Sequence, residues 1–373
     1  MLLAERESGL GGSSFSQKRR IFAQRDEPLR PMCYVFERKA DSMTAWFTRC
    51  SVIALATFMF SGCGGALPSA SQTFSQAGAH AKRTSWILPS AKKGSLMYIS
   101  DEEESAVYVY TYPKGKLVGS LSVGSAAGMC TDAKGDVWIA SPSNNEVVEY
   151  AHGGTTPITT LALTNQVIVG CAFDPTSGAL AVTSQCEDIR GDCVQPGSVF
   201  VYSDITKPAQ QYSIPEVSTA DFCGYDAKGN LFVDGYVDPS GPTILGELSK
   251  GSNAVESISL SRPIYTPGGI QWDGKHLAIG DVTAGNEITS AVYQFDVKGT
   301  KATAVGTTPL HGTNQVLQFW IQGSTLVAPN SSFGSTPSDA RLYKYPKGGS
   351  PTLVIDPGGF EEPIGSAVSL AVK

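Results

Sequence analysis

The chain has 373 residues and a net charge of −6, with 41% apolar and 17% charged residues. This is a globular composition, which excludes a disordered or collagen-like chain. The acidic balance argues against nucleic acid as a partner, because phosphate binding needs a basic footprint. Length alone allows two or three domains, but all-β folds often use more than 200 residues as one.

Residues 1–42 are polar, carry the run Lys18-Arg19-Arg20 and lack apolar periodicity. Residues 43–62 then place Arg49 ahead of an apolar run from Val52 to Phe60, followed by Ser61 and Gly62. That is the layout of a secretory signal peptide, with a run too short to span a bilayer as a mature helix. A signal peptide works at an N-terminus. Translation is therefore expected to start at Met43, with residues 1–42 as an upstream extension; the alternative is a cytoplasmic tail on a membrane-anchored protein. Phe60-Ser61-Gly62-Cys63 resembles a lipobox, with Phe60 where leucine is usual. The resemblance implies lipidation at Cys63 and a protein exported and held at the bacterial cell envelope by its lipid, on the periplasmic or cell-surface side. The alternative is an ordinary cleaved signal with an incidental cysteine. Residues 63–93 are rich in Ser, Ala and Gly and are expected to form a flexible tether. Export places the body in an oxidising compartment where disulfides persist.

The body, expected over 94–373, repeats itself, and the repeat decides the fold. An aspartate, a glycine turn and a short apolar strand recur from Asp132, Asp174, Asp226 and Asp273, and in weaker form from Gln322. The turn glycines are Gly135, Gly178, Gly229, Gly274 and Gly323. Tight hairpin turns need positive φ, which glycine adopts freely. An alternating strand follows each turn, as in Val107–Tyr112, Glu146–Tyr150, Val199–Tyr202, Val292–Phe295 and Leu342–Tyr345. Tyr-Pro-Lys-Gly occurs at 112–115 and 345–348, a composition that suits a type I turn. Units of about 41–51 residues with four short strands have the size of propeller blades. Gly94 matches the turn glycine of a unit with no strand before it, and Gly365–Ala371 reads as an inner strand with nothing after it. The expectation is all-β: a six-bladed β-propeller whose first blade is closed by the C-terminal strand.

Pro267-Gly-Gly-Ile and Pro363-Ile-Gly-Ser are similar to the opening of NHL-type propeller blades. Glu361-Glu362-Pro363 resembles a variant of the Glu-Gly-Pro motif of six-bladed gluconolactonase-like propellers, with glutamate in the glycine position. That resemblance implies a divalent cation such as calcium, held by Glu362, Asn165, Asp221 and Asn314, and hydrolysis of a lactone. Oxygen ligands suit such a hard cation. The plainer reading makes these four ordinary polar residues at strand ends.

Cys186 and Cys193 stand in Gln-Cys-Glu-Asp-Ile-Arg-Gly-Asp-Cys, where a loop-stapling disulfide is expected. Cys130, Cys171 and Cys223 fall in consecutive inner strands and read as small buried hydrophobes, with a Cys171–Cys223 bridge as the alternative. The aromatics at repeat positions, such as Tyr150, Tyr202 and Tyr345, are expected to pack between blades. Asp101–Glu104 is an acidic run that could collect cations or a basic partner, or simply face solvent. The sequence contains no Gly-x-Ser-x-Gly elbow and no His-Glu-x-x-His pair. The leading functional expectation is therefore a monomeric binding scaffold whose channel mouth takes an envelope protein or a small ligand. The metal-dependent lactonase is the alternative.

Overall fold

The computed structural model describes residues 84–189, 192–237, 241–286, 289–332, 337–356 and 359–371. The upstream extension, the signal segment and Cys63 lie outside the described residues. The structure is all-β, and its only helical elements among the described residues are single 3-10 turns.

Trp86–Ile87 (β1), Leu96–Asp101 (β2), Ala106–Thr111 (β3) and Leu117–Ser122 (β4) share one sheet with the C-terminal strand. Met129–Thr131 (β5), Val137–Ser141 (β6), Glu146–Tyr150 (β7) and Pro157–Ala162 (β8) form the second sheet. Gln166–Phe173 (β9), Leu180–Ile189 (β10), Asp192–Tyr202 (β11) and Gln210–Ser213 (β12) form the third. An eight-stranded sheet follows. Its first half is Thr219–Tyr225 (β13), Leu231–Tyr236 (β14), Thr243–Leu248 (β15) and Glu256–Leu260 (β16). Its second half is Pro267–Trp272 (β17), Leu277–Asp281 (β18), Ser290–Lys298 (β19) and Lys301–Leu310 (β20). Trp320–Gln322 (β21), Thr325–Asn330 (β22), Asp339–Lys344 (β23) and Leu353–Ile355 (β24) form the last sheet. Pro363–Ser369 (β25) pairs antiparallel with β2, placing Leu96 opposite Ser369.

The recurrent aspartates make the turns. Asp132 Oδ1 accepts from the backbone N–H of Lys134 and of Asp136, each at 2.9 Å. Asp226 repeats the pattern with Lys228 and Asn230, and Asp273 with Lys275 and His276. A short carboxylate thereby holds the turn that the glycine permits. Strands β2 and β6 are buried along their whole length, whereas β8 and β12 are mostly exposed. The reason is position: the second strands lie between two others of their sheet and are covered on both faces by neighbouring sheets, while the fourth strands meet solvent.

The apolar cores sit between neighbouring sheets. Tyr98, Leu121, Met129 and Ile139 share one cluster across the first and second sheets. Trp138, Cys171 and Phe200 share one across the second and third. Met97, Val327, Leu342 and Val368 share one across the last sheet and the first, so the arrangement closes on itself. Tyr150, Tyr202, Phe295 and Tyr345 all lie in these clusters, as the repeat pattern implied. The first strands neighbour one another with little room for side chains. A Cβ on Gly365 would come 2.5 Å from the carbonyl oxygen of Ala127 and 3.0 Å from Gly128 Cα, so only glycine fits.

The strands fall into five sheets, one of them eight-stranded, because the parallel pairing Ser259↔Lys301 and Leu260↔Ala302 joins β16 to β20. Three other expectations are corrected. Gly94 is extended at φ −114°, not a hairpin turn, because the chain arrives there from a 3-10 turn over Pro89–Lys93. The folded body reaches back into the expected tether: β1 hydrogen-bonds along the outer edge of β4, with Trp86 opposite Ser120. Both Tyr-Pro bonds of the Tyr-Pro-Lys-Gly turns are cis, and the turns are wider than type I. Gly115 N–H donates to Thr111 and Gly348 N–H to Lys344.

Candidate functional site

The two ends of the strands hold their aspartates differently. At the turn end, Asp174 and Asp273 accept hydrogen bonds from backbone N–H groups and hydroxyls. These bonds outweigh burial and hold both below the usual carboxylate range. At the other end, where each first strand begins and each second strand finishes, the carboxylates are pushed up.

That second end is built by a recurring device. The last residue of the second strand turns back and accepts the N–H groups that lead into the first strand. Asp101 accepts from Glu361 and Glu362 at 2.8 and 3.1 Å. Asp281 accepts from Tyr265 and Thr266 at 3.2 and 3.1 Å. Asn330 accepts from Asn314 at 2.6 Å, while Asp234, two residues before the end of β14, accepts instead from Phe222 within β13 at 2.9 Å. Burial nonetheless raises Asp101, Asp234 and Asp281, because the N–H donors compensate desolvation only in part. Glu102 is pushed up to about 8 by burial, despite a 2.6 Å hydrogen bond donated by Ser125 Oγ, with Glu362, Glu103 and Asp101 adding repulsion. None of the ion pairs formed by described residues supplies a cation to these groups. A cavity of about 560 Å³ opens beside the third sheet at this end, with Gln166, Glu187, Gln195, Gln211 and Glu216 in its lining.

The four residues expected to hold a cation all fall at this end but engage different neighbours. Glu362 stands next to Asp101 and Glu103, and burial raises its carboxyl. Asp221 is buried on β13, accepts a 2.8 Å hydrogen bond from Gln185 on Oδ1, and has no partner on Oδ2. Burial pushes it up to about 7. Asn314 donates to Ser332 Oγ, and Asn165 occupies a left-handed turn at φ 61°. In donor chemistry the set suits a hard cation, since Asp221 Oδ2 is free and the Asn314 Nδ2 bond leaves its Oδ1 available. Beside Asp221 lies Asp234, fully buried, whose Oδ2 is likewise unpartnered. The sequence reading named Asp101 only as part of an acidic run and passed over Asp234 and Asp281. The signal was present for the last two, since each stands at or near the end of the short apolar strand after a glycine turn.

Cys186 and Cys193 are bonded, with Cα atoms 5.5 Å apart, and clip the β10–β11 hairpin beside the cavity. Cys130 and Cys171 also form a disulfide, which ties β5 to β9 across two sheets. This corrects the reading of both as free apolar residues: adjacent first strands bring their Cα atoms to 5.6 Å, within disulfide reach. Cys223 is free and buried, so the alternative Cys171–Cys223 bridge is absent. Two disulfides fit an oxidising, exported setting. Among the described residues no helix is long and apolar enough to cross a membrane.

No family model matches the chain, and no curated protein matches it. Solved structures do. A chain of a nidogen/laminin complex aligns over 75% of this chain and 100% of its own length, at 11% identity and a TM-score of 0.58. A protein of unknown function from Bacteroides caccae aligns over 74% and 99%, at 11% identity and 0.56. A functionally unknown protein from Desulfotomaculum acetoxidans aligns over 74% and 99%, at 10% identity and 0.50. At such identities the likeness shows the fold alone, and that fold is β-propeller-like.

Proposed function

We propose that the chain is a six-bladed β-propeller lipoprotein of the cell envelope, monomeric and anchored through Cys63, which binds a cationic ligand or basic protein segment at its acidic end. The six-blade count is supported by the two antiparallel halves of the eight-stranded sheet. Each repeats the four-strand order of the other sheets, and only two residue pairs join them. The observation that carries the binding role is the set of buried and half-buried carboxylates lacking cations, with Glu102 raised to about 8 and Asp221 to about 7. An incoming positive charge would restore the ionised forms and be attracted in return.

The test is the affinity of the purified protein for a lysine-rich peptide, followed by fluorescence anisotropy from pH 5 to pH 9. Binding should strengthen as pH rises through 7–8 and weaken at least several-fold in Glu102→Gln and Glu362→Gln. Equal affinity across that range, or none, would end the proposal.

A second reading rests on the free Oδ2 of Asp221. In it, Glu362, Asn165, Asp221 and Asn314 hold a divalent cation in a lactone hydrolase. A bound cation would supply Lewis-acid polarisation of the lactone carbonyl. Elemental analysis, together with lactone turnover lost in Asp221→Ala, would support this reading. Neither metal nor turnover would leave the scaffold.

A further inference from the structure

At the opposite end of the second sheet, the β5–β6 turn and the neighbouring strand β7 bring three carboxylates together. Asp132, Asp136 and Glu149 bring an oxygen each to within 4.8 Å of one another. Asp132 Oδ1 is used by the turn, and Asp136 Oδ1 accepts from His152 N–H at 3.3 Å. Glu149 is only 6% exposed, yet none of the hydrogen bonds or ion pairs of the described residues involves its carboxylate. A glutamate whose side chain is so largely buried ordinarily gives its carboxylate donors or a counter-charge.

The chain contains its own control. Asp226-Ala-Lys-Gly-Asn230 is the same turn at the same place between β13 and β14, and Glu247 lies opposite Phe232 as Glu149 lies opposite Trp138. In that turn Asn230 Nδ2 donates to Asp226 Oδ2 at 2.8 Å, and Ser249 Oγ donates to Glu247. It satisfies itself. In the second sheet aspartate replaces that asparagine, so the donor is exchanged for a third negative group, and Glu149 has no counterpart of the serine contact.

We infer that Asp132, Asp136 and Glu149 form a binding site for a hard divalent cation, calcium by its chemistry. The donors are all oxygen, are clustered irregularly, and leave coordination positions open to water. Calcium accepts this readily, whereas magnesium requires near-octahedral order. The site also touches the closure of the molecule. Ser369 Oγ, at the end of β25, donates to the carbonyl of Gly135 inside this turn, and His152 reaches both Ser369 and Gly94. A bound ion would stiffen the junction between the C-terminal strand and the second sheet.

The experiment is calcium titration of the chelator-treated protein by calorimetry, with melting temperature followed in parallel. One calcium per chain and a rise in melting temperature are expected. Asp136→Asn, which reproduces the sister turn, should fold, melt no lower than the calcium-free parent, and bind calcium at least tenfold more weakly. Glu149→Gln should also lose affinity, while Glu247→Gln and Asp221→Asn should keep it. The last variant separates this site from the hydrolase reading. Absence of calcium binding by the parent, binding unchanged in both Asp136→Asn and Glu149→Gln, or binding lost in Asp221→Asn alone would overturn the inference.

Discussion

Asp221→Asn should stabilise the protein at high pH and do little in acid. Burial raises the Asp221 carboxyl from 3.8 to about 7, opposed only by the hydrogen bond from Gln185. A carboxyl whose folded value is raised binds its proton more tightly when folded. Its contribution is complete below the unfolded value and disappears as pH rises through the folded one. A rise of about three units corresponds to about 4 kcal/mol of stability lost between pH 4 and pH 8. Asparagine can keep the Gln185 bond and never ionises. The variant should therefore gain about 4 kcal/mol over the parent at pH 8, shrinking to under about 1 kcal/mol at pH 4. For a domain of this size that is on the order of 8 °C in melting temperature at pH 8. Differential scanning fluorimetry across pH 4–9 in the presence of a chelator measures it. A variant that melts lower than the parent at pH 8, or by an amount independent of pH, would refute burial as the cause of the shift.

Other perturbations probe the remaining architecture. Gly365→Ala should destabilise by about 2 kcal/mol, since the new methyl meets the Ala127 carbonyl and Gly128 backbone, read as a lower urea midpoint. Replacing both Cys130 and Cys171 by alanine removes a cross-link spanning 41 residues, a loss of about 4 kcal/mol in the chain-entropy account, measured by chemical denaturation against the disulfide-bonded parent. Asp101→Ala leaves the N–H groups of Glu361, Glu362 and Glu104 without their carboxylate and should cost about 3 kcal/mol, measured by chemical denaturation.

The fold was legible because its repeat is local. Asp132, Asp174, Asp226 and Asp273 each announce a turn within five residues, and Gly365–Ala371 announces a strand in want of a partner. What the sequence hid depends on pairing between distant segments. The merger of β16 with β20 rests on two residue pairs that no periodicity marks. The Cys130–Cys171 bond depends on the spacing of adjacent first strands, which a sequence pattern does not measure. Likewise the carboxylates of the acidic end look like ordinary strand-terminal aspartates until burial distinguishes Asp234 from Asp273.

The C-terminal strand seated in the first sheet imposes an order on assembly. Ser100 and Gly365 bond across 265 residues of chain, so this pairing waits until residue 365 has been synthesised. Until then β2, whose residues are all buried in the closed fold, presents an unpaired edge, the kind of edge on which a foreign strand can dock. The hairpins of the second and third sheets need no such wait, because their partners are contiguous in the chain. A ribosome stalled before residue 363 would therefore hold a chain with most sheets available and the circle open. Loss of β25 would expose that edge permanently, so truncation before Pro363 is expected to yield aggregates where internal loop cuts yield nicked but closed protein.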